Sequence, residues 1–588
     1  MTTRPSGGAH RTGLMRWAFS AWAAVLLAIG LSTLPTGALA QRGYIAPEAA
    51  TGYSEKSLAQ AKSYMVSAAN PLAVEAGVRI LQEGGSAVDA AIAVQLVLNL
   101  VEPQSSGIGG GAFLLHWDAE TKELKSYDGR ETAPAAARPD RFLRDGRRIP
   151  FDEAVHSGLS IGVPGLVRLL EEVHRRHGKL PWARLFEPAI ALAENGFPVS
   201  PRLNLLLTWM GAENFDPAAR RLYFSENGSA WPVGYRLKNP EFAGTLRRIA
   251  EEGAEAFYSG EIAEKIVAAA ANAPNHRGDI TLADLAAYRS VERPPVCVVY
   301  RRHRICGMGP PSSGGIAVAQ TLKLLEPFDL GRGPEAALNP RAMHLIAEAE
   351  KLAFADRDYY IGDPDFLQVP LTLLDSDYLA ARSRLINPNA AMPRPAPGTP
   401  PGVQRQAFGV DATLESVGTS HISVVDAAGN AVSMTTTIES AFGSRVLAAG
   451  FLLNNELTDF SFLPEDAEGR PVANAVAPGK RPRSSMAPTI VFDEAGRVKA
   501  VLGSPGGSRI ILYVVKALIA LIDWELDAQA AAALVNFGSR GGAFEIEYDP
   551  ATDWRALIRP WLSTPPLWQA MRVKPFGHEI APDLLTSG

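Results

Sequence analysis

Six prolines between Asn387 and Gly418 fix where this chain changes character. Pro388, Pro393, Pro395, Pro397, Pro400 and Pro401 each lock φ and remove an amide donor, which excludes helix and sheet. The segment is expected to be a long, mobile connection. Directly after it, Thr419-Ser420-His421-Ile422-Ser423-Val424-Val425-Asp426 alternates as a strand. It turns at Ala428-Gly429-Asn430 and returns as Ala431 to Ile438. If Asp426 faces Ala431, Thr419 lies opposite Ile438, and a one-residue shift brings it to Thr437. A hydroxyl at the head of one strand then neighbours a hydroxyl on the next.

Ahead of the prolines the pattern is helical. Asn70-Pro71 caps a helix carrying Leu72, Val74, Val78 and Leu81, which stops at Gly84-Gly85. Ser86 starts another, running towards Pro103. Gly107 to Gly111 leads into a strand through Leu115, and an amphipathic helix is expected from about Ala342 to Tyr360. Val498 to Gly503 reads as a strand, Ser504-Pro505-Gly506-Gly507-Ser508 as a turn, and Arg509 to Ile522 as an apolar helix. Strands flanked by buried helices predict an α/β fold with sheets between helix layers.

The N-terminus has the marks of an export signal, expected to span residues 1–40. Arg11 and Arg16 precede an apolar run from Ala18 to Leu31, and Ala38-Leu39-Ala40 precedes Gln41. An uncleaved membrane anchor is the other reading. Export predicts a periplasmic or secreted protein. The net charge of −5 is spread along the chain without basic blocks, so nucleic acid is not an expected partner. Both cysteines, Cys297 and Cys306, flank a tight hairpin turning at Arg301-Arg302. They fall opposite one another in a non-hydrogen-bonded pair. A disulfide and two packed thiols remain equal alternatives.

A threonine placed just after a flexible tail ending in Gly418 suits backbone cleavage. Its hydroxyl would attack the Gly418 carbonyl, shift the acyl group from nitrogen to oxygen, and leave an ester for water. The product is a threonine with a free α-amine, whose pKa of about 7.7–8 suits a general base for its own hydroxyl.

Gly418-Thr419-Ser420-His421-Ile422-Ser423-Val424-Val425-Asp426 resembles the processing site of the gamma-glutamyltransferases, which belong to the N-terminal nucleophile hydrolase class. Glu83 to Ala91, Gly109-Gly110-Gly111, Pro310 to Gly315, Gly362-Asp363-Pro364, Ser484-Ser485-Met486 and Ser504 to Arg509 follow in the family's order. The resemblance implies a four-layer αββα sandwich of two intertwined fragments from one precursor. These would be a large subunit, 41–418, and a small catalytic subunit, 419–588, forming a heterodimer. It implies Thr419 as nucleophile and Thr437 as the threonine bonded to it. Arg130 would grip the substrate α-carboxylate, for which its planar fork is suited. Glu456 and Asp459 would hold the α-ammonium, Ser484 and Ser485 would orient the carboxylate, and Gly506 and Gly507 would form the oxyanion hole. Expected substrates are glutathione and other gamma-glutamyl compounds, with water, amino acids or peptides as acceptors.

The sequence departs from the family in three places. Glu439 replaces an asparagine common in the family and adds charge beside the substrate amine. The stretch from Phe462 to Val472 is shorter than the usual lid. The chain ends at Gly588, where the family usually continues with a strand and a glycine-rich tail, so truncation is expected. A cephalosporin (glutaryl) acylase is the competing enzyme reading, but a glutaryl group has no ammonium for Glu456 and Asp459. A non-catalytic periplasmic binding protein would need neither the Gly-Thr junction nor Thr437. No cofactor or metal is expected, because the ten histidines are scattered and form no His-Glu-x-x-His motif.

Overall fold

Alternation from Thr419 onward does build a hairpin, and it lies at the heart of the molecule. A computed structural model describes residues 56–403, 408–413 and 418–546. The expected export segment and the chain beyond 546 lie outside the described residues. Ten strands make the two main sheets: β1 (Met65–Ser67), β2 (Gly111–Trp117), β3 (Leu124–Gly129), β4 (Val291–Arg293), β5 (Val296–Tyr300), β6 (His303–Gly307), β7 (Thr419–Val425), β8 (Ala431–Thr437), β9 (Thr489–Phe492) and β10 (Val498–Leu502). The first sheet has the order β1-β7-β8-β2-β3-β4 and the second β10-β9-β6-β5. Every pairing in both is antiparallel.

Period-two alternation divides each strand between two interiors. Ile422, Val424, Val432 and Met434 face helices α1 (Pro71–Gln82) and α2 (Ala87–Val101). Leu115, Trp117 and Ala431 face Cys306, Ile490 and Phe492 of the second sheet, and the Trp117 ring meets the Phe492 ring edge-on at 4.6 Å. The far side of the second sheet carries α3 (Gly314–Leu325), α4 (Pro340–Tyr360) and α5 (Arg509–Ile522). The order is helix, sheet, sheet, helix, as the resemblance implies. Both leading helices start on their expected caps. Asn70 Oδ1 accepts from Leu72 N at 3.1 Å, and Ser86 and Asp89 form a reciprocal capping box.

Three expectations change in detail. The β7–β8 register is one residue from the first pairing considered: Thr419 faces Thr437 and Val425 faces Ala431. Asp426 closes the loop itself, its Oδ1 accepting from Ala428 N and Asn430 N, each at 3.0 Å. Gly429 takes the left-handed turn at φ +86°, so three residues span the loop. Helix α4 is not amphipathic but buried nearly all round. Its polar side chains pair inside, with Lys351 on Glu348 at 2.9 Å and Gln320 on Asp356 at 3.0 Å. The proline-rich segment has no helix or strand among its described residues, as expected, but it is fastened along α4. Met392 N donates to Glu348 at 2.7 Å and Gly398 N to Asp356 at 2.8 Å.

The cysteine hairpin turns at Arg301-Arg302, both at positive φ, with Cys297 opposite Cys306. The two are disulfide-bonded with Cα atoms 4.1 Å apart, which resolves the alternative left open by sequence. Among the described residues no helix is long and apolar enough to cross a membrane.

Candidate active site

The site grows from the ends of two central strands. Thr419 opens β7, Thr437 closes β8, and both are buried. The chain is continuous across Gly418-Thr419, and the Thr437 hydroxyl acts on that junction. It donates to the Gly418 carbonyl oxygen at 2.6 Å while accepting from Glu439 N at 2.7 Å. Thr437 was expected to bond the nucleophile. The structure instead shows it bonded to the Gly418 carbonyl, the group that Thr419 would attack as the expected nucleophile. The glycines explain how backbone reaches this point. Gly110 passes against the Thr437 carbonyl, where a Cβ has no room. Gly418 itself rests on the Glu439-Ser440 peptide, and a Cβ there would stand 2.8 Å from the Ser440 carbonyl carbon.

Beside the junction lies an ion cluster. Arg130 leaves the end of β3 and is fully buried. Its Nη1 bonds Glu456, its Nη2 bonds Asp459 at 2.5 Å and the Arg483 carbonyl at 3.0 Å, and its Nε bonds the Pro482 carbonyl at 3.2 Å. Four of the five N–H groups of a guanidinium are thus engaged by the protein. This corrects the expectation that Arg130 stands apart from the two acids, at the opposite end of a bound head group. Burial pulls the guanidinium pKa down, but the charges of Glu456, Asp459 and Glu131 outweigh it and hold Arg130 charged. The acids outnumber it. Burial raises Glu456, with Arg130 opposing. Burial, then the charges of Asp459 and Glu456, raises Glu439. Glu456 Oε2 is buried with no hydrogen-bond partner.

Ser484 and Ser485 face this cluster from the loop before β9. Their neighbour Arg357, from α4, donates to Ser485 Oγ at 2.6 Å and Ser313 Oγ at 2.9 Å. The glycine pair precedes α5, with Gly506 at φ +134° and Gly507 at φ +56°. Arg130, Thr419, Thr437, Glu439, Glu456, Asp459, Ser484, Ser485 and Gly507 line one pocket, with Met486 and Ile510. Gly506 lies one residue outside that lining. The pocket's volume is about 20 Å³, room for about one water. Among the described residues no group of His, Cys, Asp and Glu could hold a metal ion.

The gamma-glutamyltranspeptidase family model matches residues 73–558, nearly the whole of this fold. The chain belongs to the gamma-glutamyltranspeptidase family. It is 39% identical to the glutathione hydrolase proenzyme of Bacillus subtilis (strain 168) over 479 residues, covering 80% of this chain and 79% of the relative. It is also 39% identical to the glutathione hydrolase proenzyme of Escherichia coli (strain K12) over 486 residues, 81% of each chain. Among solved structures it resembles a cephalosporin acylase from Bacillus halodurans. The TM-score is 0.75 at 28% identity, with 91% of this chain and 92% of that one covered.

Sequence reasoning missed Arg357 and Asn455. Arg357 sat unremarked in a helix read as amphipathic, although a charged residue on its inward face was the available signal. Asn455 bonds Glu439 through Nδ2 and receives Ser440 N on Oδ1 at 2.9 Å; nothing in the Asn454-Asn455 pair pointed to that. The close seat of Gly418 carries a prediction. Gly418→Ala would push the Gly418 carbonyl off Thr437, and if cleavage occurs there a displacement near 1 Å would cost about 10²-fold in rate. The fraction cleaved with time on a denaturing gel should fall accordingly. Cleavage at the original rate would show that this seat does not matter.

Proposed function

We propose that the chain is a gamma-glutamyltransferase and glutathione hydrolase that matures by cutting itself before Thr419. The observation that carries this is the Thr437 hydroxyl on the Gly418 carbonyl, next to Thr419 and an acid-rich pocket. In maturation Thr419 Oγ1 attacks the Gly418 carbonyl carbon, and the oxygen gathers charge against the Thr437 hydroxyl. The peptide C–N bond breaks as nitrogen takes a proton, leaving an ester. That step frees the Thr419 α-amine, and water then hydrolyses the ester, releasing a Gly418 carboxylate and restoring the Thr419 hydroxyl.

In turnover the amine takes the Thr419 hydroxyl proton as oxygen attacks the γ-carbonyl of the donor. Gly506 and Gly507 N–H groups, ahead of α5, would hold the oxyanion. The leaving amine departs protonated, and water or an acceptor amine attacks the acyl-enzyme. Glu456 and Asp459, joined by Glu439, would hold the α-ammonium. Ser484 and Ser485 would take the α-carboxylate with the remaining Nη1–H of Arg130. The two pieces, 41–418 and 419–588, would stay together, since β7 and β8 sit inside the sheet. The N-terminal pattern supports removal of residues 1–40 and action in the periplasm or outside the cell. The acylase likeness supports a second reading, a glutaryl amidase, which the surplus of carboxyls disfavours.

The test is direct. Folded protein should resolve into two bands on a denaturing gel, and the smaller should begin Thr-Ser-His-Ile on N-terminal sequencing. A different start, or a chain that stays whole while folded, would sink the proposal.

A further inference from the structure

We infer that Arg357 is a positioning residue for the α-carboxylate of the donor: acting through Ser485 and Ser313, it sets the affinity of the pocket for a gamma-glutamyl head group. The inference rests on the gamma-glutamyl reading of the site, in which Ser484 and Ser485 take that carboxylate.

The first ground is what the guanidinium holds. Arg357 leaves α4 with its side chain buried. Its Nη2 donates to Ser485 Oγ at 2.6 Å and its Nε to Ser313 Oγ at 2.9 Å. A guanidinium stays charged and presents its donors in a rigid fork, so it fixes these two hydroxyls relative to one another. A charge-assisted bond to a hydroxyl oxygen polarises the O–H beyond it. Ser485 lines the pocket, and its O–H is thereby the stronger donor to a carboxylate that arrives there.

The second ground is the backbone on which the serines stand. Ser313 Oγ and Ser313 N both donate to the Ser484 carbonyl, at 2.7 Å and 2.8 Å. Ser484 N returns a bond to the Pro311 carbonyl at 3.1 Å. Ser312 Oγ donates to the Met486 carbonyl at 2.5 Å. The Pro310 to Gly315 motif thus has a place in the site, although none of its residues lines the pocket. It fastens the loop of Ser484 and Ser485, and Arg357 ties that motif and the pocket serine to a single group.

The third ground is how the guanidinium is itself fixed. Its Nη1 donates to Asp358 Oδ1 at 2.7 Å, which gives the buried cation a counter-charge on the side away from the serines. The Phe354 ring, one turn earlier on α4, has its centre 5.2 Å from the guanidinium carbon, within the range of a cation on an aromatic face. Arg357 does not line the pocket, so its effect on a bound donor passes through the hydroxyls it orients.

Steady-state kinetics of the cleaved protein with gamma-glutamyl 4-nitroanilide test this. Arg357→Gln should raise KM about tenfold while kcat changes by less than about twofold. Arg357→Lys keeps the charge and a donor for Ser485 but not the fork, and should fall between. A double-mutant cycle shows whether the effect runs through Ser485. Ser485→Ala should raise KM by a similar factor, and the double variant no further than the larger single effect, since either change breaks the same contact. A merely structural Arg357 would instead lower kcat, go unrescued by lysine, and multiply with Ser485→Ala. Should Arg357→Gln stay uncleaved, Ser313→Ala takes its place, since it removes the Nε acceptor without burying or exposing a charge. Its KM should rise severalfold at steady kcat. An unmoved KM in Arg357→Gln, or in Ser313→Ala where that variant stands in, overturns the inference alone, provided the unsubstituted protein turns over the donor. So do factors that multiply in the double variant. Failure of the unsubstituted, cleaved protein to turn over the donor overturns the gamma-glutamyl reading and the inference with it.

Discussion

Thr419→Ala is expected to give a folded chain that stays in one piece and releases no glutamate. The change removes a hydroxyl and a methyl at a buried strand end, a cavity cost of about 1–2 kcal/mol, which a fold this large tolerates. Circular dichroism should therefore match that of the unsubstituted protein. Chemistry would be lost twice, because in the proposed mechanism maturation and turnover both begin at the same oxygen. Thr419→Ser keeps the oxygen on a less restricted rotamer and should be cleaved more slowly. Once the chain is cut, the proposed base is the amine of Thr419 itself. It works only when neutral, so the rate of mature protein should fall as pH drops through about 7.7–8. If folded Thr419→Ala still yields two fragments and still turns over donor, another residue is the nucleophile.

Arg130→Ala should be the most destabilising single change in the pocket. It removes the cation from between Glu456 and Asp459 and leaves buried carboxylates facing one another beside Glu439 and Glu131. Breaking a buried pair in this way costs about 3–5 kcal/mol, read as a lowered midpoint in denaturant. The sign with pH follows from burial, which already raises Glu456 and Glu439. Without Arg130 the folded-state pKa of each rises further above its unfolded value. The penalty then grows as pH rises above the ordinary carboxyl range towards the raised folded-state pKa values, and shrinks as pH falls and the acids take up protons. Arg130→Lys restores charge but not the four hydrogen bonds, so it should fall between. A midpoint for Arg130→Ala equal to the original at pH 7 would show that the cluster is not held by its cation.

What could be read beforehand divides along physical lines. Helices α1, α2 and α5 were legible because Asn70, Ser86 and the glycines before Arg509 mark their starts. The β7–β8 hairpin was legible from its alternation, and the placement of Cys297 opposite Cys306 from its turn, though not the bond between them. The register was left between two neighbouring pairings, of which the structure takes the second, because closure depends on the Asp426 carboxyl reaching two amides, which alternation does not encode. Helix α4 was misread since its charges are paired in the interior, where a polar stripe mimics a solvent face. The nine pocket-lining residues that motifs proposed do meet, yet their contacts were not legible. Arg130 and Glu456 are 326 residues apart, and nothing local says that they touch.

The β7–β8 register also bears on how faulty chains are recognised. A one-residue slip would set Ile438, with no hydroxyl, opposite Thr419 and turn every side chain of β7 to the wrong interior. The Gly418 carbonyl would lose its polarising partner, and such a chain could not cut itself. Under the proposed maturation, cleavage would thus act as a proofreading step: only a chain whose central pair has zipped in the correct alignment would acquire an amine at Thr419. A mispaired copy would persist as an inert, full-length polypeptide, distinguishable by size alone from every copy able to act.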